Sequence, residues 1–231
     1  TVISFRAEEK GLKRSLFERL VDLGIEPLLL STQYRMHPAI SKFPNQHFYS
    51  DRLDDGVKSE NRLAPAGLLW PDWDNPVAFV PVDGGEIVSP DGTSRENPTE
   101  VSWVIKILND ILEAGEITKK DIGIITPYAG QVRAIRNSMS EKLDDVEVKT
   151  VDGYQGREKE VIIFSCVRSN SEKNIGFLSE MRRLNVALTR AKRGLIVIGD
   201  PATLRNDKNW RAWLEYVRDS KFEAWHLLGM N

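Results

Sequence analysis

Short apolar runs recur along this chain with helical patterns between them, and that alternation constrains the fold more than any other feature. Val77-Ala78-Phe79-Val80, Ile122-Gly123-Ile124-Ile125, Val161-Ile162-Ile163-Phe164 and Leu195-Ile196-Val197-Ile198 carry no polar residue at every second position. A strand with one wet face alternates, whereas a strand covered on both faces does not. Leu28-Leu29-Leu30 reads as a further strand, and Val146-Glu147-Val148 as an alternating one. Between the runs, Val101, Val104, Ile105, Leu108 and Ile111-Leu112 fall at helical spacing. So do Val132, Ile135 and Met139, the stretch from Met181 to Ala191, and Trp210, Trp213, Leu214 and Val217. The expected fold class is therefore α/β, a mostly parallel sheet with helices on both faces.

Two regions break the rhythm. Asp51 to Asn97 is rich in Gly, Pro, Asp and Asn and carries Trp70 and Trp73, so a long irregular excursion is expected at about 51–97. Before Glu26-Pro27, Leu16, Phe17, Leu20 and Val21 form a helix face with no strand of its own, which predicts a domain boundary there. A length of 231 residues suits one large domain, or one domain plus a fragment. The absence of an initial methionine fits an excised fragment.

A formal net charge of −2 argues against a protein coated in positive charge, but not against a local basic cleft. The single cysteine, Cys166, follows an apolar run and reads as a buried thiol, which fits a reducing compartment. No apolar stretch approaches the ~18–20 residues of a membrane helix, so no membrane partner is expected.

In open α/β sheets ligands bind beyond the carboxyl ends of the strands, and four polar places are read as lying at strand ends. In Gln33-Tyr34-Arg35-Met36-His37-Pro38 an arginine is set to clamp a phosphate and a tyrosine to lie on a base. The same residues also suit a plain strand-to-helix turn, with His37 as a helix-start residue rather than a metal ligand. Thr126-Pro127-Tyr128-Ala129-Gly130-Gln131 offers a hydroxyl and helix-start amides to a phosphate, or simply a helix cap followed by proline. Thr150-Val151-Asp152-Gly153-Tyr154-Gln155-Gly156-Arg157-Glu158 holds polar side chains between glycines that permit close approach, or else is a hairpin loop. In Arg182 to Ala191, Leu184, Ala187, Leu188 and Ala191 form a buried stripe, with Arg183 and Arg190 sharing one flank and Asn185 and Thr189 the other. The bland reading there is a solvated basic face. No metal-ligand spacing and no nucleophile–base pair is found.

Taken together and in this order, "QYRMHP", "IGIITPY", "TVDGYQGREKEVII" and "RRLNVALTRA" resemble the second-domain signature of superfamily 1 helicases. The resemblance is strongest to the up-frameshift-like group, which includes the nonsense-mediated-decay helicase and its senataxin-type and immunoglobulin-switch-binding relatives. Gly92-Thr93-Ser94, followed by Asn97 and Glu100, adds a weaker match, and the likeness runs from about Gly11 to Pro201.

The resemblance implies a RecA-like domain of the P-loop NTPase type over residues 28–231, with 1–27 the last helix of a preceding motor domain. It implies that Tyr34 stacks on adenine and that Arg35 and Arg190 reach the γ-phosphate as arginine fingers. Gly156 and Glu158 would line the phosphate and ribose side. Thr126, Pro127, Tyr128, Thr150 and Asp152 would face a single strand of RNA or DNA. ATP with Mg2+ is the implied cofactor. No G-x-x-x-x-G-K-[ST] phosphate loop and no strand-borne Asp-Glu pair is present, so the magnesium ligands are expected on the first RecA-like domain of the parent chain. The isolated chain is expected to be inactive, although the parent would be an ATP-dependent helicase. Decay-factor proteins are implied partners, in the cytoplasm and in the nucleus as well. Two other readings stand beside this one: a non-hydrolysing nucleic-acid-binding module of the same fold, and an unrelated α/β enzyme. The third lacks a catalytic constellation, and the low charge disfavours the second.

Overall fold

The computed structural model describes residues 6, 9–12, 14–224 and 227. The chain divides into two compact units, 1–31 and 32–231. The first holds helix α1 (Leu16–Asp22), started by a capping box in which Ser15 and Glu18 satisfy each other's backbone amides. Leu28-Leu29-Leu30 is not a strand: it is irregular, and Leu28 is 98% exposed. Its apolar run is short, and no strand ladder among the described residues includes it. The division falls after Ser31, a few residues beyond the boundary expected near Pro27.

The second unit runs β1 (Thr32–Gln33), α2 (Pro38–Tyr49), β2 (Asp54–Asp55), β3 (Val77–Pro81), β4 (Ile87–Val88), β5 (Arg95–Glu96), α3 (Pro98–Glu113), β6 (Ile122–Thr126), α4 (Ala129–Ser138), β7 (Glu147–Thr150), β8 (Lys159–Ser165), α5 (Met181–Leu188), β9 (Ala191–Gly199), α6 (Pro201–Leu204) and α7 (Lys208–Asp219). The main sheet has five strands in the order β3-β9-β8-β6-β7, and every pairing in it is parallel. The parallel sheet predicted from the unbroken apolar runs is thus the one observed. Ile162, Phe164, Leu195 and Val197 point to one face, under Phe43 of α2, Leu188 of α5, and Trp210 and Trp213 of α7. Ile124, Ile163, Ile196 and Ile198 point to the other, under Val104, Leu108 and Ile111 of α3 and Ile135 of α4. Each such fully buried aliphatic side chain is worth about 1.5–3 kcal/mol, and truncating one to alanine costs about 2–5 kcal/mol.

Capping residues fix where the helices begin. His37 caps α2 by accepting the Ala39 amide on Nδ1, as expected of a helix-start residue, and Pro38 occupies the first turn. Asn97 caps α3, and Asp207 caps α7 by accepting from Asn209 and Trp210. The segment 51–97, expected to be an irregular excursion, carries regular structure. It contains β3, the small antiparallel pair β4–β5, and Trp70, buried with its indole N–H donating to the Pro65 carbonyl.

Two expectations need correcting. The stretch Met181 to Ala191 is not one helix: α5 ends at Leu188, and Ala191 begins β9, although Leu184, Ala187, Leu188 and Ala191 are all buried as the stripe requires. Nor is 150–158 a hairpin, because β7 and β8 are parallel and β6 lies between them. The segment must instead cross from the carboxyl end of β7 to the amino end of β8. It does so through a 3-10 turn at Asp152–Tyr154 whose Tyr154 ring is buried.

Candidate ATP edge and strand edge

In a parallel sheet all amino ends share one edge. Glu158 immediately precedes β8 and Arg190 immediately precedes β9, so both stand at the amino edge. The QYRMHP turn joins them there, since the His37 amide donates to the Lys192 carbonyl near the start of β9. The idea that all four polar places lie beyond carboxyl ends is therefore corrected. Thr126, Pro127, Thr150 and Asp152 do lie at the carboxyl edge. Tyr34, Arg35, Gly156, Glu158 and Arg190 belong to the opposite side, because the crossing segment 151–158 starts at one edge and finishes at the other.

At the amino edge, Gln33 shapes the turn. Its Oε1 accepts from the Arg35 and Met36 amides, while Nε2 donates to the Met36 carbonyl and to Asp55. Arg62 Nε donates to the Arg35 carbonyl from outside. Tyr34 is thereby held out, 69% exposed, with its ring edge over Gly56, where a Cβ would overlap it. Arg35 Nε donates to Glu158 Oε2 at 2.6 Å, and Nη1 to the Thr189 carbonyl at 3.0 Å. Arg190 Nη2 donates to Thr189 Oγ1 at 2.8 Å, so one threonine receives both guanidinium groups. Burial and the neighbouring Arg35 charge lower the Arg190 pKa. Hydrogen bonds from Arg35 and Lys192 hold the Glu158 carboxyl below its ordinary value. Gly156 has φ +80, a backbone that non-glycine residues rarely adopt. Gln33, Tyr34, Arg35, Met36 and Glu158 line a cavity of about 370 Å3. An exposed ring beside Arg35, with Arg190 on the same threonine, suits a nucleotide. Among the described residues no group of three or more His, Cys, Asp or Glu side chains is placed to hold a metal.

At the carboxyl edge the picture differs. Thr126 is fully buried, and its hydroxyl has no hydrogen-bond partner. Its expected capping alternative is also absent, because the residue before α4 is Tyr128, whose side chain makes no cap hydrogen bond. Tyr128 is only 5% exposed, so the stacking face expected of it is covered. Its hydroxyl accepts from Arg168 Nη1 and from the Phe177 amide, each at 3.2 Å, and Phe177 packs over its ring. Pro127 and Thr150 are half-buried, and Asp152 is exposed. Asp152 takes a bidentate pair from Arg183, Nε to Oδ1 at 3.0 Å and Nη2 to Oδ2 at 2.8 Å. Arg183 and Arg190 therefore do not share a flank: Arg183 meets the carboxyl edge from the start of α5, and Arg190 sits past its end. Gln33, Gly56, Arg62, Lys192, Arg168 and Phe177 were not singled out as site residues from sequence. Only the position of Gln33 within its motif offered a signal.

Comparison with known proteins follows this geometry. A family model described as an AAA domain matches residues 12–202. A regulator of nonsense transcripts 1 homolog from Drosophila melanogaster is 45% identical over 227 residues, covering 95% of this chain and 19% of that protein. The ATP-dependent helicase NAM7 of Saccharomyces cerevisiae is 42% identical over 226 residues, covering 94% of this chain and 23% of its own length. The ATP-dependent helicase upf1 of Schizosaccharomyces pombe is 43% identical over 220 residues, 92% of this chain and 24% of that protein. The chain thus spans about a fifth of the length of the curated relatives it matches. The matched span, the identity and the four motifs agree, and the chain belongs to the AAA domain family, in the up-frameshift-like branch that its motifs resemble.

Proposed function

We propose that this chain is the second motor domain of an ATP-dependent RNA or DNA helicase of the nonsense-mediated-decay type. The observation that carries the reading is the segregation of its two candidate sets to opposite edges of one parallel sheet, with two continuous links between them. One link is the segment 151–158 with its buried Tyr154. The other is α5, which begins beside Asp152 through Arg183 and ends beside Thr189, the residue that receives Arg35 and Arg190. A motor needs such links, because each site must sense the other.

At the amino edge, Tyr34 offers its exposed ring to the base. Arg35 and Arg190 stabilise the charge that builds on the transferring phosphoryl group, which is the main demand of that chemistry. Arg35 is parked on Glu158 in a half-exposed pair, and such pairs exchange partners at little cost. An arriving phosphate thus takes a guanidinium already oriented by Thr189. ATP hydrolysis supplies the free energy, and the magnesium ligands belong to the first motor domain, in keeping with a sequence that carries no phosphate loop. At the carboxyl edge, Pro127, Thr150 and Asp152 reach the surface where the backbone of a single strand is held without its sequence being read, and the buried Thr126 and Tyr128 support them from beneath. Decay-factor proteins as partners, in keeping with relatives named as regulators of nonsense transcripts, and a cytoplasmic location with a nuclear share belong to the same proposal.

The test uses the full-length protein. Arg190→Ala should cut strand-stimulated ATP turnover on the order of 10³-fold, with single-strand affinity within a few-fold of native. Turnover near that of the native protein would overturn the finger assignment.

A further inference from the structure

The carboxyl edge contains a backbone outlier. Val167, two residues past the end of β8, has φ +71, in a region that a β-branched residue enters only under constraint. The constraint is visible. Glu100 Oε2 accepts the Val167 amide at 2.9 Å and Asn97 Nδ2 donates to the Val167 carbonyl at 3.1 Å, and both side chains are fully buried. Glu100 also accepts from Ser165 Oγ at 2.6 Å, and Gln131 of α4 bonds both Ser165 and Asn97. Strain held by so many buried hydrogen bonds usually aims a side chain.

Here it aims Arg168. Arg168 is 6% exposed and its guanidinium lies between two partners, with Nε donating to Glu86 at 2.7 Å and Nη1 to the Tyr128 hydroxyl at 3.2 Å. Glu86 pairs with Arg95 as well, at 3.1 Å, so one carboxylate holds two guanidinium groups and a net positive charge remains. Gly176 passes directly above, with φ +55 and no room for a Cβ against Arg168 and Tyr128. Phe177 follows it, and is 56% exposed. Arg95, Arg168, Gly176 and Phe177, with Thr93 and Ser94 of the β4–β5 turn, line an open cavity of about 610 Å3, within the range of small-ligand sites.

We propose that this cavity takes one nucleotide of the single strand, its base against the Phe177 ring and its phosphate at Arg95, over the Arg168–Tyr128 floor. The proposal rests on the single-strand reading above and deepens it, moving the stacking role from buried Tyr128 to exposed Phe177. An exposed aromatic ring beside a cationic groove is the recurrent means of holding single strands without sequence preference. Arg168, Glu86, Asn97 and Glu100 are positioning residues, since they shape the cavity from below.

The experiment measures binding of the full-length protein to a fluorescent oligouridylate and to an abasic strand of equal length, across a salt series. Phe177→Leu keeps apolar cover over Tyr128 and removes the π face. It should weaken oligouridylate binding about five-fold or more and leave abasic binding unchanged. Arg95→Ala should weaken both strands and flatten the log–log salt dependence by roughly 0.7, the loss of one phosphate contact on a single strand. Both residues reach the surface, and melting temperatures near native confirm folded variants. If both variants bind both strands like the native protein, the cavity holds no nucleotide. If Phe177→Leu weakens the two strands equally, the base does not stack there. A Thr126→Val, Thr150→Val double variant run alongside separates the readings: its loss of affinity while the cavity variants stay native sinks the cavity and keeps the grip, and no loss in any variant sinks both.

Discussion

The two edges of the sheet are built from opposite materials. The amino edge is a network of half-exposed ion pairs: Arg35 with Glu158, Lys192 with Glu158 and Glu160, and two guanidinium groups on one threonine. The carboxyl edge is a buried net of Asn97, Glu100, Gln131 and Ser165, with a strained residue at its centre. Ion pairs near water trade partners at a cost of about 0–1 kcal/mol. Buried hydrogen bonds do not, because an unmade one costs about 1–3 kcal/mol. The difference teaches where change is tolerated. A site that must gain and lose a triphosphate in every cycle sits where rearrangement is cheap, and a surface that must grip any sequence sits where geometry is fixed. Strand β8 is seven residues long, so at ~3.3 Å per residue the two edges stand about 20 Å apart.

The sharpest break of this comparison would be hydrolysis by the amino edge alone. The isolated chain should release no phosphate from ATP above a buffer blank, even with saturating single-stranded RNA. Turnover that disappears in Arg190→Ala would mean the edge is a complete site. In the full-length protein, Arg35→Ala should lower turnover at least about 10²-fold, because it removes a finger and leaves Glu158 beside the phosphates. An unchanged rate would reduce Arg35 to a surface ion pair.

For the carboxyl edge, the buried net predicts a pH dependence. Burial pushes Glu100 up to about 8 from an ordinary 4.5, against hydrogen bonds from Ser165 and Val167 that pull it down. The folded chain then holds a proton that the unfolded chain has released, throughout the window between those values. Stability should fall as pH rises through the window, by a total on the order of a few kcal/mol, and should level off on either side. Glu100→Gln should abolish that slope in urea titrations at several pH values. An identical slope in the variant would place the titration elsewhere.

Thr126 sharpens the contrast within a single residue. A buried hydroxyl without a partner costs about 1–3 kcal/mol, so Thr126→Val should raise stability by roughly 1 kcal/mol. With Thr150→Val added, single-strand affinity should fall roughly ten-fold, by a similar factor for every homopolymer. A gain in stability with no loss of affinity would leave Thr126 a packing residue. The smallest effect is expected at Gly56. Gly56→Ala displaces the Tyr34 ring and should raise the KM for ATP roughly two- to ten-fold, the worth of one ring stack, at unchanged kcat.

The strands of the main sheet were legible because each is apolar on both faces, a pattern that depends only on covering helices. The helices of the core were legible because their apolar residues recur at helical spacing, as Val101 to Ile111 illustrate, while the Asn97 cap was seen only in the structure. Leu28–Leu30 misled because an apolar triplet says nothing about whether a neighbouring strand exists to pair with it. Met181 to Ala191 misled because buried residues continue at helical spacing into β9, so the end of α5 is set by the Lys159 amide donating to the Arg190 carbonyl.

The sequence by itself determined the sheet, its parallel character, the His37 cap, the free buried Cys166 and the identity of the motif residues, since each follows from local spacing or side-chain chemistry. Which edge each motif occupies was decided only by the tertiary structure. A crossing such as 151–158 has no local signature, because its direction is set by where β6 inserts between β7 and β8. The same holds for the cavity beside Tyr128. Glu86, Arg95, Arg168 and Phe177 are up to 91 positions apart in sequence, and only the strand order and the strained turn at Val167 bring them to one place.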